Sequence, residues 1–273
     1  MSIIQFNRSS RPSFPAAKLA LAPDVSTPTV VERPAAVDLT GKRKVWFIIG
    51  RGRIGKTTLT RWLVETIEGR GVEKLVVAAV DPVNRTLRNF VEGVAEPPSA
   101  DPSEVKDWLW DLLQHVEHGK LNALIDLGGG DTALSALLRE TPDLAGMLSE
   151  NGVEPVAVHV VGTDQHDLSP LALTESQGFQ PKATAVVLNE GLGRREKFDP
   201  IFVHPTFQAA IGRGGVQLWM PILTPDVAHR CDAEGWQYRN VRHLGGPFAA
   251  SAVHNWLRRM GDEFAPVQSW LPE

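Results

Sequence analysis

Six runs of apolar residues punctuate the chain beyond residue 44: Val45 to Ile49, Leu75 to Val80, Ala123 to Asp126, Val156 to Val161, Ala183 to Leu188 and Val216 to Met220. A strand with one wet face alternates apolar and polar positions; a run that scarcely alternates is buried on both faces, as in parallel sheets covered by helices. Between the runs the period lengthens to that of a helix, which predicts helices over Thr57 to Glu68, Pro102 to Glu117, Thr132 to Glu140, Leu168 to Ser176, Pro205 to Ile211 and Phe248 to Met260. Strand, loop and helix repeated in that order predict an α/β fold: a mostly parallel sheet with helices on both faces.

Residues 1 to 42 have neither period and carry Pro12, Pro15, Pro23, Pro28 and Pro34. The segment is expected to be a disordered, flexible tail ahead of a single domain over residues 43–273. Its first 23 residues are basic and lack acids, as in an organellar transit peptide, but the prolines spoil an amphipathic helix.

Composition narrows the class. With 273 residues and 42% hydrophobic content the chain can build a full core, and its single cysteine, Cys231, excludes a disulfide framework. Cys231 is expected to be a buried thiol in a reducing compartment. No apolar run approaches the roughly 18 residues of a membrane helix, so the expectation is a soluble, cytoplasmic protein without integral membrane association. The net charge of -4 hides an asymmetry: residues 101–190 hold 4 basic and 15 acidic groups, residues 1–44 hold 7 and 3. Attraction of the whole body to nucleic acid is therefore not expected.

The loop after the first strand carries the most specific chemistry. Gly50-Arg51-Gly52-Arg53-Ile54-Gly55-Lys56-Thr57 satisfies GxxxxGK[ST] between a strand and a helix, the context a phosphate-binding loop requires. Its glycines let successive N–H groups point inward, and the helix start adds the positive end of a dipole. Lys56 is placed to reach the β and γ phosphates, the Thr57 hydroxyl to ligate Mg²⁺, and Thr58 to donate to the α or β phosphate. Two further strands end in carboxylates, Asp81 in Val80-Asp81-Pro82 and Asp126 in Asp126-Leu127-Gly128-Gly129-Gly130-Asp131. Either alone is compatible with an ordinary strand-end cap.

With these residues in place the chain resembles the ParA/MinD group of deviant Walker A ATPases, within the SIMIBI/MinD-like P-loop NTPases, over roughly residues 44–225. The family's KGGxGK[ST] loop matches Arg51 to Thr57. The resemblance implies that Arg51 stands where a signature lysine reaches across an ATP-sandwich homodimer; arginine keeps the charge and adds a fork suited to phosphate. Arg53 replaces a family glycine. Asp81 matches the second Asp of a DxDP switch that positions the attacking water and the Mg²⁺ shell, while Ala79 replaces the first, so slow hydrolysis is expected. Asp126 matches the Walker B carboxylate that holds Mg²⁺ through water, with Gly128 to Gly130 as a mobile switch. Asn189 and Pro221 fall where the family contacts adenine. Asn189-Glu190-Gly191-Leu192 lacks the Asp of a guanine-reading NKxD, which favours ATP over GTP.

The expected function is a Mg²⁺-dependent ATPase switching a dimer in plasmid or DNA partition, stability or conjugal transfer, with a partner protein and a possible DNA contact. Two alternatives stay open: a small-molecule kinase or ATP-dependent ligase like dethiobiotin synthetase, and a nucleotide-binding interaction protein with little turnover. Weaker features point to structure. His115 and His118 lack further ligands at metal spacing, and Trp108 and Trp110 suit a helix covering a core. The stripe Phe248, Val253, Trp256, Leu257, Met260 and Phe264 suits packing against the sheet. Arg194, Arg195, Lys197, Arg213, Arg230, Arg239 and Arg242 share their window, residues 191–245, with five acids and suit solvated surface over a DNA-facing patch.

Overall fold

Parallel strands cannot be joined by tight turns, so each apolar run must be linked to the next by a crossover, and helices supply most of these. A computed structural model describes residues 35–72, 74–81, 86–129 and 132–273; the expected tail through residue 34, and Pro82, Gly130 and Asp131, lie outside them. All six expected strands form: β1 Arg43–Ile49, β2 Leu75–Ala79, β3 Asn122–Asp126, β4 Val153–Val161, β5 Ala183–Asn189 and β6 Val216–Met220. They pair in parallel in the order β2-β3-β1-β4-β5-β6. The order reverses at β1, and the crevice beyond the carboxyl end of such a strand is where open α/β sheets take ligands.

The helices are α1 Lys56–Glu68, α2 Pro102–His118, α3 Ala133–Glu140, α4 Leu144–Glu150, α5 Ser169–Ser176, α6 Asp199–Phe202, α7 Pro205–Gly212, α8 Pro225–Ala233, α9 Val241–Leu244 and α10 Gly246–Phe264. The pleat divides their partners. Trp46 and Ile48 of β1 join the layer that contains α1 and α10, whereas Val45, Phe47 and Ile49 join the layer of α2, α3 and α4. A third cluster packs Leu168 and Leu171, Phe198 and Phe207 against Val186, Leu188 and Trp219. Trp108 and Trp110 lie half-buried against the second layer, as expected of residues covering a core. His159 is buried in β4, and desolvation pushes its imidazole down to about 3, so it is neutral in the folded protein at ordinary pH.

The carboxyl-terminal helix docks on the sheet through Ala249, Val253, Trp256, Met260 and Phe264, with Trp62 of α1 4.7 Å from Phe264 between ring centroids. Phe248 departs from the expected stripe and is 91% exposed, because the inward row begins one position later at Ala249. Beyond α10 the chain folds back on β1. Trp46 Nε1 donates to the Trp270 carbonyl at 2.9 Å, and Trp270 Nε1 donates to the Val37 carbonyl at 2.7 Å. Leu39 is buried and its N–H donates to Ser269 Oγ at 3.3 Å, so residues 37–39 pack on the domain ahead of the boundary expected at residue 42. Cys231 is buried, and no helix among the described residues is long and apolar enough to cross a membrane.

Candidate functional site

The carboxyl ends of five strands bring the sequence-marked residues to one edge of the sheet. The chain leaves β1 at Gly50, curls through Arg51 to Gly55 and enters α1 at Lys56, while Asp81 follows β2 and Asp126 ends β3. A cavity of about 590 Å³ is lined by the loop from Gly52 to Thr58 together with Ala79, Asp81, Asp126 and Gly128–Gly129. A second compartment of about 400 Å³, lined by Asn189, Pro221 and α8, meets the first at Thr58.

Local backbone chemistry fixes the loop. Gly55 caps α1 at φ +102°, and a Cβ there would stand 2.5 Å from Asn189 Nδ2 and 2.8 Å from Met220 Cε. Gly55→Ala therefore meets both a left-handed backbone and a filled space. It is expected to cost about 2–3 kcal/mol, measurable as a lowered midpoint in urea unfolding. Arg53, at φ +61°, holds a left-handed conformation without being glycine, a cost of roughly 1–2 kcal/mol stored in the loop. On the other side, Gly129 packs so closely that a Cβ on it would lie 2.3 Å from Gly52 Cα. Gly129 thus touches the Gly50–Thr57 loop directly.

The polar groups are poised around the larger cavity. Lys56 is only 7% exposed, and its ammonium donates to the carbonyls of Gly50 at 3.0 Å and Arg51 at 2.9 Å. Thr57 Oγ1 donates to Asp126 Oδ2 at 2.8 Å. The other oxygen, Oδ1, is buried without a hydrogen-bond partner among the described residues. Burial pushes the Asp126 carboxyl up to about 6; the Thr57 hydrogen bond and the Lys56 charge pull it down, and the Asp81 charge adds to the rise. An acceptor-only oxygen with no donor, beside a hydroxyl and facing a second carboxylate across one cavity, suits a hard divalent cation and its water shell. Thr57, Asp126 and Asp81 therefore fit Mg²⁺.

Arg51 is 49% exposed, and its Nη1 donates to Asp167 Oδ1 of the same chain at 3.2 Å. Asp167 Oδ2 accepts from the Gly162 N–H at 3.0 Å, which ties the end of β4 to the loop. Asn189 Nδ2 donates to the Ile54 carbonyl at 2.8 Å and its Oδ1 accepts from the Gly191 N–H at 2.8 Å, so the amide braces the loop while its residue borders the smaller compartment. The Pro221 carbonyl accepts from Trp256 Nε1 at 2.8 Å. Arg61, one turn past Thr58, is buried between Phe90 and Tyr238, 3.5 and 4.5 Å from their ring centroids. Sequence reasoning missed Asp167 and Arg61: their partners are tertiary, and only an arginine set one helical turn beyond the loop could have hinted at the second.

The weaker candidates resolve into structure. Among the described residues no group of three or more His, Cys, Asp or Glu side chains could hold a metal ion. Arg195 pairs with Glu190 and Glu263, Arg213 with Glu175 and Arg239 with Glu68, which commits three of the seven basic residues to acids of their own chain.

No protein-family model matches the chain, and no curated protein does. Similar solved structures include the signal recognition particle receptor FtsY from Elizabethkingia anophelis, at 17% identity over 69% of this chain and 61% of that one, TM-score 0.45. A nucleotide-binding protein from Archaeoglobus fulgidus, in complex with ADP, is 14% identical over 71% of this chain and 87% of its own, TM-score 0.44. The MinC:MinD cell division complex of Aquifex aeolicus includes a chain 14% identical over 81% of this one and 96% of its own, TM-score 0.46. The chain spans about three fifths of the length of the receptor chain from Elizabethkingia anophelis that it matches.

Proposed function

We propose that the protein is a Mg²⁺-dependent, slowly hydrolysing ATPase of the ParA/MinD type that dimerises around ATP and serves plasmid or DNA partition, stability or conjugal transfer. The observation that carries nucleotide binding is the orphaned Asp126 oxygen beside Thr57, in the cavity that the Gly52–Thr58 loop encloses. Lys56 exchanges its two carbonyl acceptors for phosphate oxygens. Thr57 and Asp126 hold the ion, which when bound spreads the charge of the phosphates. Asp81 orients the attacking water, and Ala79 in place of a second carboxylate keeps turnover low. Gly128–Gly129, packed on Gly52, follow the phosphate's presence and carry the change to the dimer face.

Light scattering with ADP, with ATP·Mg²⁺ and with an Arg51→Ala variant tests the switch. ATP-specific doubling of mass that disappears in the variant supports it; a mass indifferent to nucleotide would sink it. Arg51 must first leave Asp167. A half-exposed pair of this kind is worth about 0–1 kcal/mol, so Asp167→Asn, which keeps an acceptor for Gly162, is expected to lower the ATP concentration needed for dimerisation by up to about fivefold. An unchanged titration midpoint would remove Asp167 from the mechanism.

A second reading, a small-molecule kinase or ligase, is favoured by a cavity of about 660 Å³ lined by Gly50, Gly128–Gly129, Lys106, Arg139 and Leu173. That volume suits a metabolite next to the transferable phosphate. ATP consumption that requires a metabolite rather than DNA or a protein would select it.

A further inference from the structure

The smaller compartment, where the base of a bound nucleotide would lie, contains a carboxylate that the loop motif does not account for. Asp232 of α8 lines it with Thr58, Pro221 and His229. Its side chain is 63% exposed, yet its Oδ1 is fixed at 2.6 Å from Arg61 Nη1, and the Arg61 side chain is only 3% exposed. Arg61 is itself immobilised: Nη2 donates to the Trp236 carbonyl at 3.0 Å and the guanidinium lies between Phe90 and Tyr238. A rigid cation thus aims an exposed carboxylate along the wall of the compartment. Asn189, the residue that the resemblance to the ParA/MinD group implies at the base, spends its amide on Ile54 and Gly191.

We infer that Asp232 selects the base, accepting from the 6-amino group of adenine and repelling the 6-oxo group of guanine or hypoxanthine. The inference rests on the nucleotide-binding reading and deepens it. An ionised carboxylate only accepts hydrogen bonds. Adenine offers a donor at its 6-position where guanine offers an acceptor, so a carboxylate set at that position, and not along the N1–H and 2-amino edge that an NKxD aspartate reads, supplies both an attraction and a penalty, the combination that makes a site selective. Arg61 neutralises one oxygen and leaves the other to the base.

The test is the affinity of the full chain, with Mg²⁺, for ATP, ITP and GTP in the wild type and in Asp232→Asn. Asparagine still accepts from Arg61 but can turn its NH₂ toward a 6-oxo group, so a purely structural role would leave selectivity unmoved. The wild type is expected to favour ATP over ITP at least about tenfold, and the variant to bring the two within about threefold, with ITP binding more tightly than before. Asp232→Ala should narrow the ratio by weakening ATP instead. An unchanged ATP:ITP ratio in Asp232→Asn with an unaltered melting curve, or a wild type that prefers GTP or ITP, overturns the role of Asp232 alone. A wild type that binds none of the three overturns the nucleotide reading with it.

Discussion

Replacing Lys56 with alanine is expected to weaken binding of ATP·Mg²⁺ by at least about 100-fold, or roughly 2.8 kcal/mol. The ammonium sits at the amino end of α1, held by the Gly50 and Arg51 carbonyls. Those acceptors are neutral. Replacing them with phosphate oxygens creates charge-assisted hydrogen bonds in a half-closed cavity, roughly twice as strong as the bonds given up. Alanine removes that gain and leaves two carbonyls short of a donor, a loss of about 1 kcal/mol each to the fold without ligand. Calorimetric titration checks the first effect and thermal melting without nucleotide bounds the second. Near-wild-type affinity in Lys56→Ala would contradict the assignment of the loop.

Asp126→Asn is expected to do opposite things to stability and to binding. In the free protein burial holds the carboxyl up near 6, above its unfolded value near 3.9. The folded state therefore retains a proton that the unfolded state has lost between about pH 4 and pH 6, and stability from this group falls as pH rises through that window. At pH 7 the charge costs about 1–3 kcal/mol, and the neutral amide does not incur it. The variant should melt about 3–8 °C higher without ligand. With ATP·Mg²⁺ the order reverses, because the wild type gains stability from binding and the variant, having lost the ion's carboxylate, does not.

The pH profile provides an independent check. His159, neutral in the fold with its imidazole held down to about 3, stabilises the protein above its unfolded value near 6.5 and loses that contribution as pH falls. Between pH 4 and 6 the two groups act in opposite directions, so their joint contribution in the wild type is nearly flat. Removing Asp126 exposes the histidine's slope: denaturant midpoints in Asp126→Asn should rise steadily across the window. Parallel profiles for the two proteins would show that Asp126 does not carry the raised value.

Much of the architecture was legible because central parallel strands bury both faces, which writes nearly continuous apolar runs into β1, β4 and β5. The loop was legible because its glycines, lysine and threonine are contiguous. Elements that bury little were not. α8 turns one fully buried residue, Cys231, inward over its nine residues, and so shows no apolar stripe. α4 is a seven-residue helix whose N-cap, Asp143, accepts from the Gly146 N–H at 3.2 Å, a signal too local to separate it from a turn. Within the site the legible residues are those the proposed function sets against phosphate or ion, whereas Asp167 and Asp232 pair with partners 116 and 171 residues away in sequence. Nothing in a window of the chain announces such pairs.

The contact between Val37 and Trp270 places the first and last stretches of the described residues within one hydrogen bond of each other. Rejoining them by a short Gly/Ser linker and opening the chain elsewhere would preserve every strand pairing, since each depends on neighbours in space and not on the order of synthesis. A permutant opened in the exposed turn at Arg213–Gly214, between α7 and β6, should retain the sheet and the cavity lined by the Gly52–Thr58 loop. It would also carry new termini at the opposite edge of the sheet from the Gly50–Thr57 loop, where reporters could be attached away from the candidate site.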